Sequence, residues 1–285
     1  MSEHKHSSRF KAIVYSFVSF MLTLVLFLFS ICIVVESTVF SKEYMLNVMS
    51  SNGYYSMVQD EFLGSMKSLG NASGLNEEFS EQFVKEIDIQ HSIEDYISAF
   101  YSGDSTLVDT TSFKQQLYTA LDRYIEENNI DKNTVSNQNI AYYVDEAAAI
   151  YVNEISIPFF STVANYIYKA QQPFLILTIG LGITALILIA VIFFTNKFTH
   201  RKFRYICYGF SGAFLSVLII PAIIQLSDKI SKINLNTRSL YSLFVNYANG
   251  IVTNFWICSL VLLFLSVITF VLYINYYKRA TSSRQ

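Results

Sequence analysis

Few side chains in this sequence could hold a metal ion, and they surround one histidine. The 285 residues include four histidines: His4, His6, His91 and His200. His91 lies close to Asp88, Glu94 and Asp95, so nitrogen and oxygen ligands could meet on one helical turn. Zinc normally takes three or four such ligands, and neither an HExxH motif nor a paired CxxC motif is present. The sequence therefore predicts no metal site and no cofactor, with His91 as an exposed helix-end residue.

A second motif could carry nucleophilic chemistry, namely Gly209-Phe-Ser211-Gly212. It resembles the GxSG motif of rhomboid-type intramembrane proteases, which implies a serine nucleophile. That chemistry also needs a histidine base from another membrane helix, and no histidine lies within an apolar segment. We therefore predict no catalytic residue and no enzyme activity. The small residues favour close helix packing instead, with Gly180 and Gly182 as partner surface. The predicted packing residues are Gly180, Gly182, Gly209, Gly212 and Ala213.

Four apolar segments of 22 to 24 residues surround these motifs, and none contains an ionised side chain. At about 1.5 Å rise per residue they would form helices of roughly 33 to 36 Å, enough for a hydrocarbon core of about 30 Å. A cleaved secretory signal is the alternative for the first segment, but it lacks an A-x-A cleavage pattern. The predicted transmembrane helices are residues 12–35, 173–195, 205–226 and 251–274.

Charge is distributed unevenly around these segments. Residues 36–172 hold 20 of the 22 acidic residues and only seven basic ones, a formal charge of −13. Short flanks rich in Lys and Arg stay on the cytoplasmic side of a membrane. Three flanks have that character: residues 1–11, 196–204 and 275–285. We therefore predict a multi-pass protein of the cell membrane with cytoplasmic N- and C-termini, and with residues 36–172 and the short loop 227–250 outside.

The acidic segment 36–172 is predicted to be helical. Apolar residues recur at every fourth position in two stretches, which are Tyr54, Val58, Phe62 and Met66, and Phe113, Leu117, Leu121 and Ile125. Helices are predicted to start near Asn52 and near Ser92, where Ser92 and Asp95 resemble a capping box. Another is predicted over 139–155. The predicted fold is an all-α membrane protein with four transmembrane helices and a helical extracytoplasmic domain inserted between helices 1 and 2.

The apolar segments also bear on transport. Proton and ion relays in membranes usually use ionisable side chains within the spans, and none is present here. The strongest polar candidates, Gln225 and Asn254, lie near the predicted outer face. These features disfavour coupled transport. They do not exclude an oligomer that forms a pore lined by small and hydroxyl residues, which is kept as an alternative.

The stretch from Ser41 to Tyr55, SKEYMLNVMSSNGYY, is followed by Asp109-Thr-Thr-Ser-Phe113. Together they resemble a group of uncharacterised four-span membrane proteins of Gram-positive bacteria. The resemblance implies this architecture in a cell envelope and no known activity. The order of segments is also similar to FtsX-type subunits of ABC systems, which place a large outer domain between spans one and two. The predicted inner segments 1–11 and 196–204 are short for docking an ATPase.

These observations lead to two functional hypotheses. The first is a non-catalytic integral membrane protein whose outer helical domain binds or senses an envelope partner. That partner would be an envelope protein or a cationic ligand, since the domain is acidic, and nucleic acid is not expected. The alternative is a membrane subunit of a transporter, of ABC type or a channel assembly. Besides the lipid bilayer, a second copy of the chain is a further candidate partner.

Overall fold

A computed structural model of the protein describes residues 2–104, 108–130, 137–235 and 237–282. Within those ranges the chain forms ten α-helices and one short 3-10 turn, Ile230–Lys232, and no β-strand. The helices are α1 (Ser2–Thr38), α2 (Lys42–Ser51), α3 (Tyr54–Ala72), α4 (Glu77–Glu86), α5 (Ile89–Ser102), α6 (Thr111–Glu127), α7 (Asn137–Ile155), α8 (Phe160–Thr195), α9 (Thr199–Ser227) and α10 (Arg238–Ser282).

The chain divides into two compact units. The first, which we call the membrane unit, comprises residues 1–41, 171–233 and 247–285. The second, which we call the helical domain, comprises residues 42–170 and 234–246. The helical domain is therefore built mainly from the sequence between the first two long helices, with one additional segment that precedes the last apolar stretch.

The four predicted membrane spans correspond to four long helices of the structure. Four helical segments are long and apolar enough to cross a membrane: Lys11–Thr38, Phe160–Thr195, Thr199–Lys232 and Arg238–Ser282. Each contains one of the predicted apolar segments, so the predicted all-helical fold with four membrane-length helices is confirmed. The helices extend beyond the predicted segments because polar residues at their ends also adopt helical conformation. α8 continues through Pro173, and only residues 196–198 separate α8 from α9.

The helical domain follows the fourfold spacing of its apolar residues. In α3 the buried positions include Tyr54, Val58, Phe62 and Met66, and in α6 they are Phe113, Leu117, Leu121 and Ile125. Both predicted stripes are confirmed, because residues four apart lie on one face of a helix. Local polar groups set the helix ends. The Asn76 side chain accepts a hydrogen bond from the backbone N–H of Phe79 at 2.9 Å and so caps α4.

One predicted helix start is wrong. α5 begins at Ile89, not near Ser92, because the Asp88 carboxylate is its N-cap and accepts the backbone N–H of His91 at 2.9 Å. The Ser92 hydroxyl instead donates to the Asp88 carbonyl at 2.9 Å, inside the first turn. The Asp88 carboxylate thus performs, one turn earlier, the capping that the sequence predicted for Ser92. The helix therefore starts one turn earlier.

Candidate functional site

The helical domain contains a cleft between α5 and the beginning of α6, which we call the α5–α6 cleft. Its volume is about 450 Å³. Three exposed carboxylates line its rim, from Asp88, Asp95 and Asp109. Three buried aromatic side chains line its floor, from Tyr96, Phe113 and Tyr151. Residues far apart in the sequence thus form one concave surface with an acidic edge and an aromatic base.

Two of the rim carboxylates are held by helix N-termini. Asp88 caps α5 through His91, and Asp109 Oδ1 accepts the backbone N–H of Thr111 at 2.8 Å at the start of α6. That backbone hydrogen bond, with a further one from the Thr111 side chain, lowers the pKa of the Asp109 carboxyl. Both helix ends favour negative charge at these positions. The rim therefore carries ionised groups whose direction is set by the backbone.

The third carboxylate, Asp95, lies one turn after His91 in α5 and faces it. Asp95 Oδ2 is 3.4 Å from His91 Nε2, and each of the two side chains is 69% exposed. This exposure lets water compete with the pair. No group of three His, Cys, Asp or Glu side chains converges in a metal-binding arrangement anywhere in the described ranges.

The floor of the α5–α6 cleft is rigidly packed. The rings of Phe113 and Tyr151 stack with centroids 4.2 Å apart, and the Tyr151 hydroxyl donates to Ser92 Oγ at 2.7 Å. The Tyr96 hydroxyl donates to the carbonyl of Ile157 at 3.3 Å. Burial raises the pKa of both tyrosines, so both remain neutral phenols. The floor thus offers an apolar surface with aromatic edges and faces.

A carboxylate rim above an aromatic floor suits a cationic group that also has an apolar part. The carboxylates attract the charge, and aromatic faces add cation–π attraction of about 0.5 to 2 kcal/mol per contact. The volume of the α5–α6 cleft falls within the usual range for sites that hold small ligands, roughly 300 to 1,000 Å³. The charge and shape of the α5–α6 cleft are therefore suited to such a cationic group.

The predicted packing glycines lie in the membrane unit. The two on α9, Gly209 and Gly212, pack against α1. A Cβ atom built on Gly209 would lie 2.6 Å from Leu22 Cδ2, and one on Gly212 would lie 2.7 Å from Thr23 Oγ1. Ala213 is fully buried. The surface that faces Gly209 and Gly212 therefore belongs to α1, whereas the sequence analysis expected the second span.

The other two predicted packing residues have different surroundings. A Cβ atom on Gly182 would lie 3.1 Å from Phe29 of α1. Among the described residues, no atom beyond the neighbouring backbone of α8 lies within 4 Å of such a Cβ on Gly180. Ser211, the serine of the GxSG motif, lies with its hydroxyl 2.6 Å from that of Ser266 on α10. This serine thus joins two helices through a hydrogen bond.

Sequence reasoning missed the hydroxyl groups of α1 that support this packing. Ser19 donates to the carbonyl of Tyr205 at 2.7 Å, and Thr23 donates to the carbonyl of Gly209 at 3.2 Å. The two residues are four apart, so they lie on one face of α1. A serine and a threonine at that spacing in an apolar helix are a usable signal, because hydroxyls often join membrane helices.

A second missed group is Glu61 in the helical domain, which caps the start of α10. Its Oε1 accepts the backbone N–H of Ser239 at 3.0 Å, and its Oε2 accepts the Ser239 hydroxyl at 2.5 Å. Nearby, Ser65 donates to Glu154 Oε1 at 3.2 Å, and burial raises the pKa of the Glu154 carboxyl. Because Glu61 and Ser239 are far apart in the sequence, no local sequence pattern predicts this cap.

Comparison of the chain with protein-family models, with curated proteins and with solved structures found no match.

Proposed function

We propose that this protein is a non-catalytic integral membrane protein whose helical domain lies outside the cytoplasm and recognises a cationic partner of the cell envelope. The observation that carries the proposal is the α5–α6 cleft, with its three carboxylates above an aromatic floor. The partner is a cationic ligand with an apolar part, either as a small molecule or as a segment of an envelope protein.

Charge supports the orientation in this proposal. The sequence 36–172 has a formal charge of −13, whereas the flanks of the membrane helices are basic. Basic flanks are retained in the cytoplasm during insertion, so the acidic domain is expected on the opposite side. An acidic domain on that side would attract cations over several ångströms before contact, within the Debye length of about 8 Å at physiological salt.

Local charge supports the α5–α6 cleft as the contact surface. Hydrogen bonds from the start of α6 lower the pKa of Asp109, so this rim group stays ionised in moderately acidic surroundings. The neutral phenols of Tyr96 and Tyr151 add no competing charge to the floor. The α5–α6 cleft therefore combines a lasting negative rim with an uncharged aromatic base.

A charge-neutralising variant pair tests the binding site. Asn is about as good an N-cap as Asp, and its amide oxygen can accept the same backbone hydrogen bonds. Asp88→Asn with Asp109→Asn therefore removes two charges while keeping acceptors for the N–H groups of His91 and Thr111. The probe is a short arginine- and tryptophan-containing peptide, titrated calorimetrically into the purified full chain in detergent. We expect the double variant to bind at least about tenfold more weakly, since two charge contacts of about 1 kcal/mol each are lost.

The matched control carries the same charge change away from the α5–α6 cleft. Asp60 and Asp122 are exposed and do not line it, so Asp60→Asn with Asp122→Asn should leave the affinity nearly unchanged. Equal weakening in both double variants would show that general negative charge attracts the peptide and would reject the cleft as its site. Absence of binding by the unaltered chain would also reject the proposal for this class of ligand.

Protease accessibility tests the orientation independently of the ligand. Trypsin added outside intact cells should cut within 36–172 and leave an epitope placed after Lys278 intact. Loss of that epitope with an intact helical domain would mean that the topology is the reverse of the proposed one.

Affinity purification from membranes tests the alternative, a membrane subunit of a transporter or channel assembly. Recovery of a stoichiometric ATPase, or of a homo-oligomer that conducts ions, would favour it over a recognition protein.

A further inference from the structure

Six cations lie at one end of the membrane unit, around the connection from α8 to α9 and the end of α10. We call this group the basic collar; it consists of Lys197, Arg201, Lys202, Arg204, Lys278 and Arg279. The sequences 171–227 and 247–285 contain no Asp or Glu. Among the described residues, none of the six forms an ion pair with a carboxylate. The basic collar therefore holds concentrated positive charge that no carboxylate of the described side chains neutralises.

Aromatic rings hold three of these cations in fixed directions. The guanidinium carbon of Arg201 lies 5.1 Å from the centroid of Phe198, and Lys202 Nζ lies 4.4 Å from that of Phe193. Arg204 lies 4.8 Å from the Tyr205 centroid and donates to the Tyr205 hydroxyl at 2.9 Å. Cation–π contacts orient a charge but leave it uncompensated. The cations are thus positioned and still available to an anion.

Two further features of α9 favour an anion at this place. Arg201 and Lys202 lie in the first turn of α9, where the helix dipole itself is positive. Arg204 Nε is buried and has no hydrogen-bond partner in the described part of the chain. Like charges at a helix N-terminus and an unsatisfied buried donor both cost stability. A bound anion would relieve both costs.

Ring contacts bring the end of α10 to the same place. Phe203 of α9 stacks on Tyr276 of α10, with centroids 5.4 Å apart and planes inclined by 4°. His200 packs against Tyr277 at 5.9 Å. Lys278 and Arg279 follow Tyr277 directly in the sequence. The cations of the two helices therefore belong to one surface.

The surroundings of the basic collar identify the kind of anion. Only three residues separate α8 from α9, so the collar directly adjoins the ends of membrane-length helices. Phe194 is 81% exposed beside it, and Phe198 and Tyr277 are also exposed. Aromatic side chains in such positions lie at the level of lipid headgroups. The surface thus suits an anionic head attached to an apolar tail.

From these observations we infer that the basic collar is a binding site for the headgroup of an anionic phospholipid. The guanidinium groups of Arg201 and Arg204 offer paired N–H donors that match phosphate oxygens, and Lys202 adds a further charge. The exposed rings contact the upper part of the acyl chains. Basic surfaces between helices at a membrane boundary bind acidic lipids in this way.

Lipid competition on the purified full chain in mixed micelles tests this site. Labelled phosphatidylglycerol is bound first, and unlabelled phosphatidylglycerol or phosphatidylcholine is then added. We expect the anionic lipid to displace the label at a concentration at least about fivefold lower than the zwitterionic lipid. This preference should decline as salt rises, because salt screens exposed charges.

Charge-neutralising variants test which residues cause the preference for phosphatidylglycerol over phosphatidylcholine. Arg201→Gln with Lys202→Gln should reduce it at least about fivefold. Lys229→Gln with Lys232→Gln removes two exposed cations elsewhere in the membrane unit and should leave it unchanged. If the first pair impairs folding, Lys278→Gln with Arg279→Gln at the exposed end of α10 serves as the second variant and should weaken the preference in the same direction.

Several outcomes would overturn the inference. One is an unchanged lipid preference in well-folded variants of the basic collar, and another is an equal loss in the Lys229 and Lys232 control. Displacement of the label by inorganic phosphate as effectively as by phosphatidylglycerol would assign the surface to free phosphate. Displacement by short single-stranded DNA to the same extent would assign it to a soluble polyanion.

Discussion

The helical domain and the membrane unit are both all-helical in the described ranges, but their helices pack by opposite means. In the helical domain large aromatic side chains fill the interior: Phe62, Phe113 and Tyr151 contact one another with ring centroids 4.2 to 6.1 Å apart. In the membrane unit α1 packs against α9 at Gly209 and Gly212, which have no side chain, and Leu22 and Thr23 of α1 occupy the space that a Cβ atom would need.

The difference follows from the surroundings that each unit is built for. In water, burial of apolar area stabilises a fold by about 25 cal/mol per Å², so bulky side chains turn inward. In lipid that driving force between helices is absent, and close backbone approach and hydroxyl hydrogen bonds take its place. Accordingly, many large apolar side chains of the membrane unit are exposed, such as Leu226 at 87%, although others, such as Leu22 and Ile192, are buried between its helices.

The largest effect that could test this contrast is loss of a buried side chain in the helical domain. Leu117 is fully buried on α6, so Leu117→Ala should lower the free energy of unfolding by about 2 to 5 kcal/mol. The adjacent Tyr118 is 41% exposed, and Tyr118→Ala should change it by about 0.5 kcal/mol or less. Urea unfolding in detergent, followed by near-UV circular dichroism, measures both. Equal effects would mean that α6 has no oriented core face.

The reverse change, addition of a methyl group, tests the membrane unit. Gly209→Ala forces a Cβ to within 2.6 Å of the buried Leu22 and should destabilise the chain by about 1 to 3 kcal/mol. Gly180→Ala meets open space, and it should be neutral or stabilising by up to about 1 kcal/mol through helix propensity. Unfolding in dodecyl sulfate mixed micelles compares the two. A stable Gly209→Ala variant would contradict the close approach of α1 and α9.

A smaller effect is expected from the hydroxyl pair that joins α9 and α10. Ser266→Ala removes the 2.6 Å hydrogen bond with Ser211 and should cost about 0.6 kcal/mol in the same unfolding assay. Ser216 bonds only to the Gly212 carbonyl of its own helix at 3.0 Å, so Ser216→Ala is the matched control. A loss in Ser216→Ala as large as in Ser266→Ala would deny a specific role to the interhelical bond.

The smallest predicted effect is a pH dependence in the helical domain. Burial, together with the charge of Glu61, raises the pKa of Glu154, so the folded state binds this proton more readily than the unfolded chain. The free energy of unfolding should therefore fall as pH rises from about 4.3 through the raised pKa. Glu154→Gln keeps an acceptor for Ser65 and should raise the melting temperature at pH 7 by roughly 1 to 3 °C.

At pH 4 the carboxyl is mostly protonated in both states, so most of the advantage of Glu154→Gln should disappear. Glu146 is exposed on the same helix, and Glu146→Gln should change the melting temperature little at either pH. Thermal unfolding followed by circular dichroism supplies the comparison. An advantage of Glu154→Gln that is equal at pH 4 and pH 7 would mean that the gain does not arise from ionisation.

Some parts of this structure were predictable because they depend on nearby residues. The apolar stripes of α3 and α6 follow from fourfold spacing, which a helix converts directly into one buried face. The start of α5 was mispredicted because Asp88, which caps it in the structure, lies about one turn before Ser92, and both residue types can cap a helix. Which of them binds the free N–H groups depends on backbone direction before the helix, which the residue types do not specify.

The α5–α6 cleft illustrates what was only partly predictable. Excess negative charge in the segment 36–172 was evident, and with it an affinity for cations. The meeting of Asp88 and Asp109 above Phe113 was not evident, because α5 and α6 are separate helices whose mutual position depends on packing. The same holds for the Glu61 cap on α10, which joins residues 178 positions apart.

By itself, the sequence determined the helical class, the four membrane-length segments and the separation of acidic from basic stretches, because each depends on composition or on spacing within one helix. The tertiary structure alone decided that Gly209 and Gly212 face α1 and that three carboxylates share one cleft with aromatic rings. The physical reason is that pairing between helices depends on the fit of whole surfaces, and several pairings can satisfy the same local pattern.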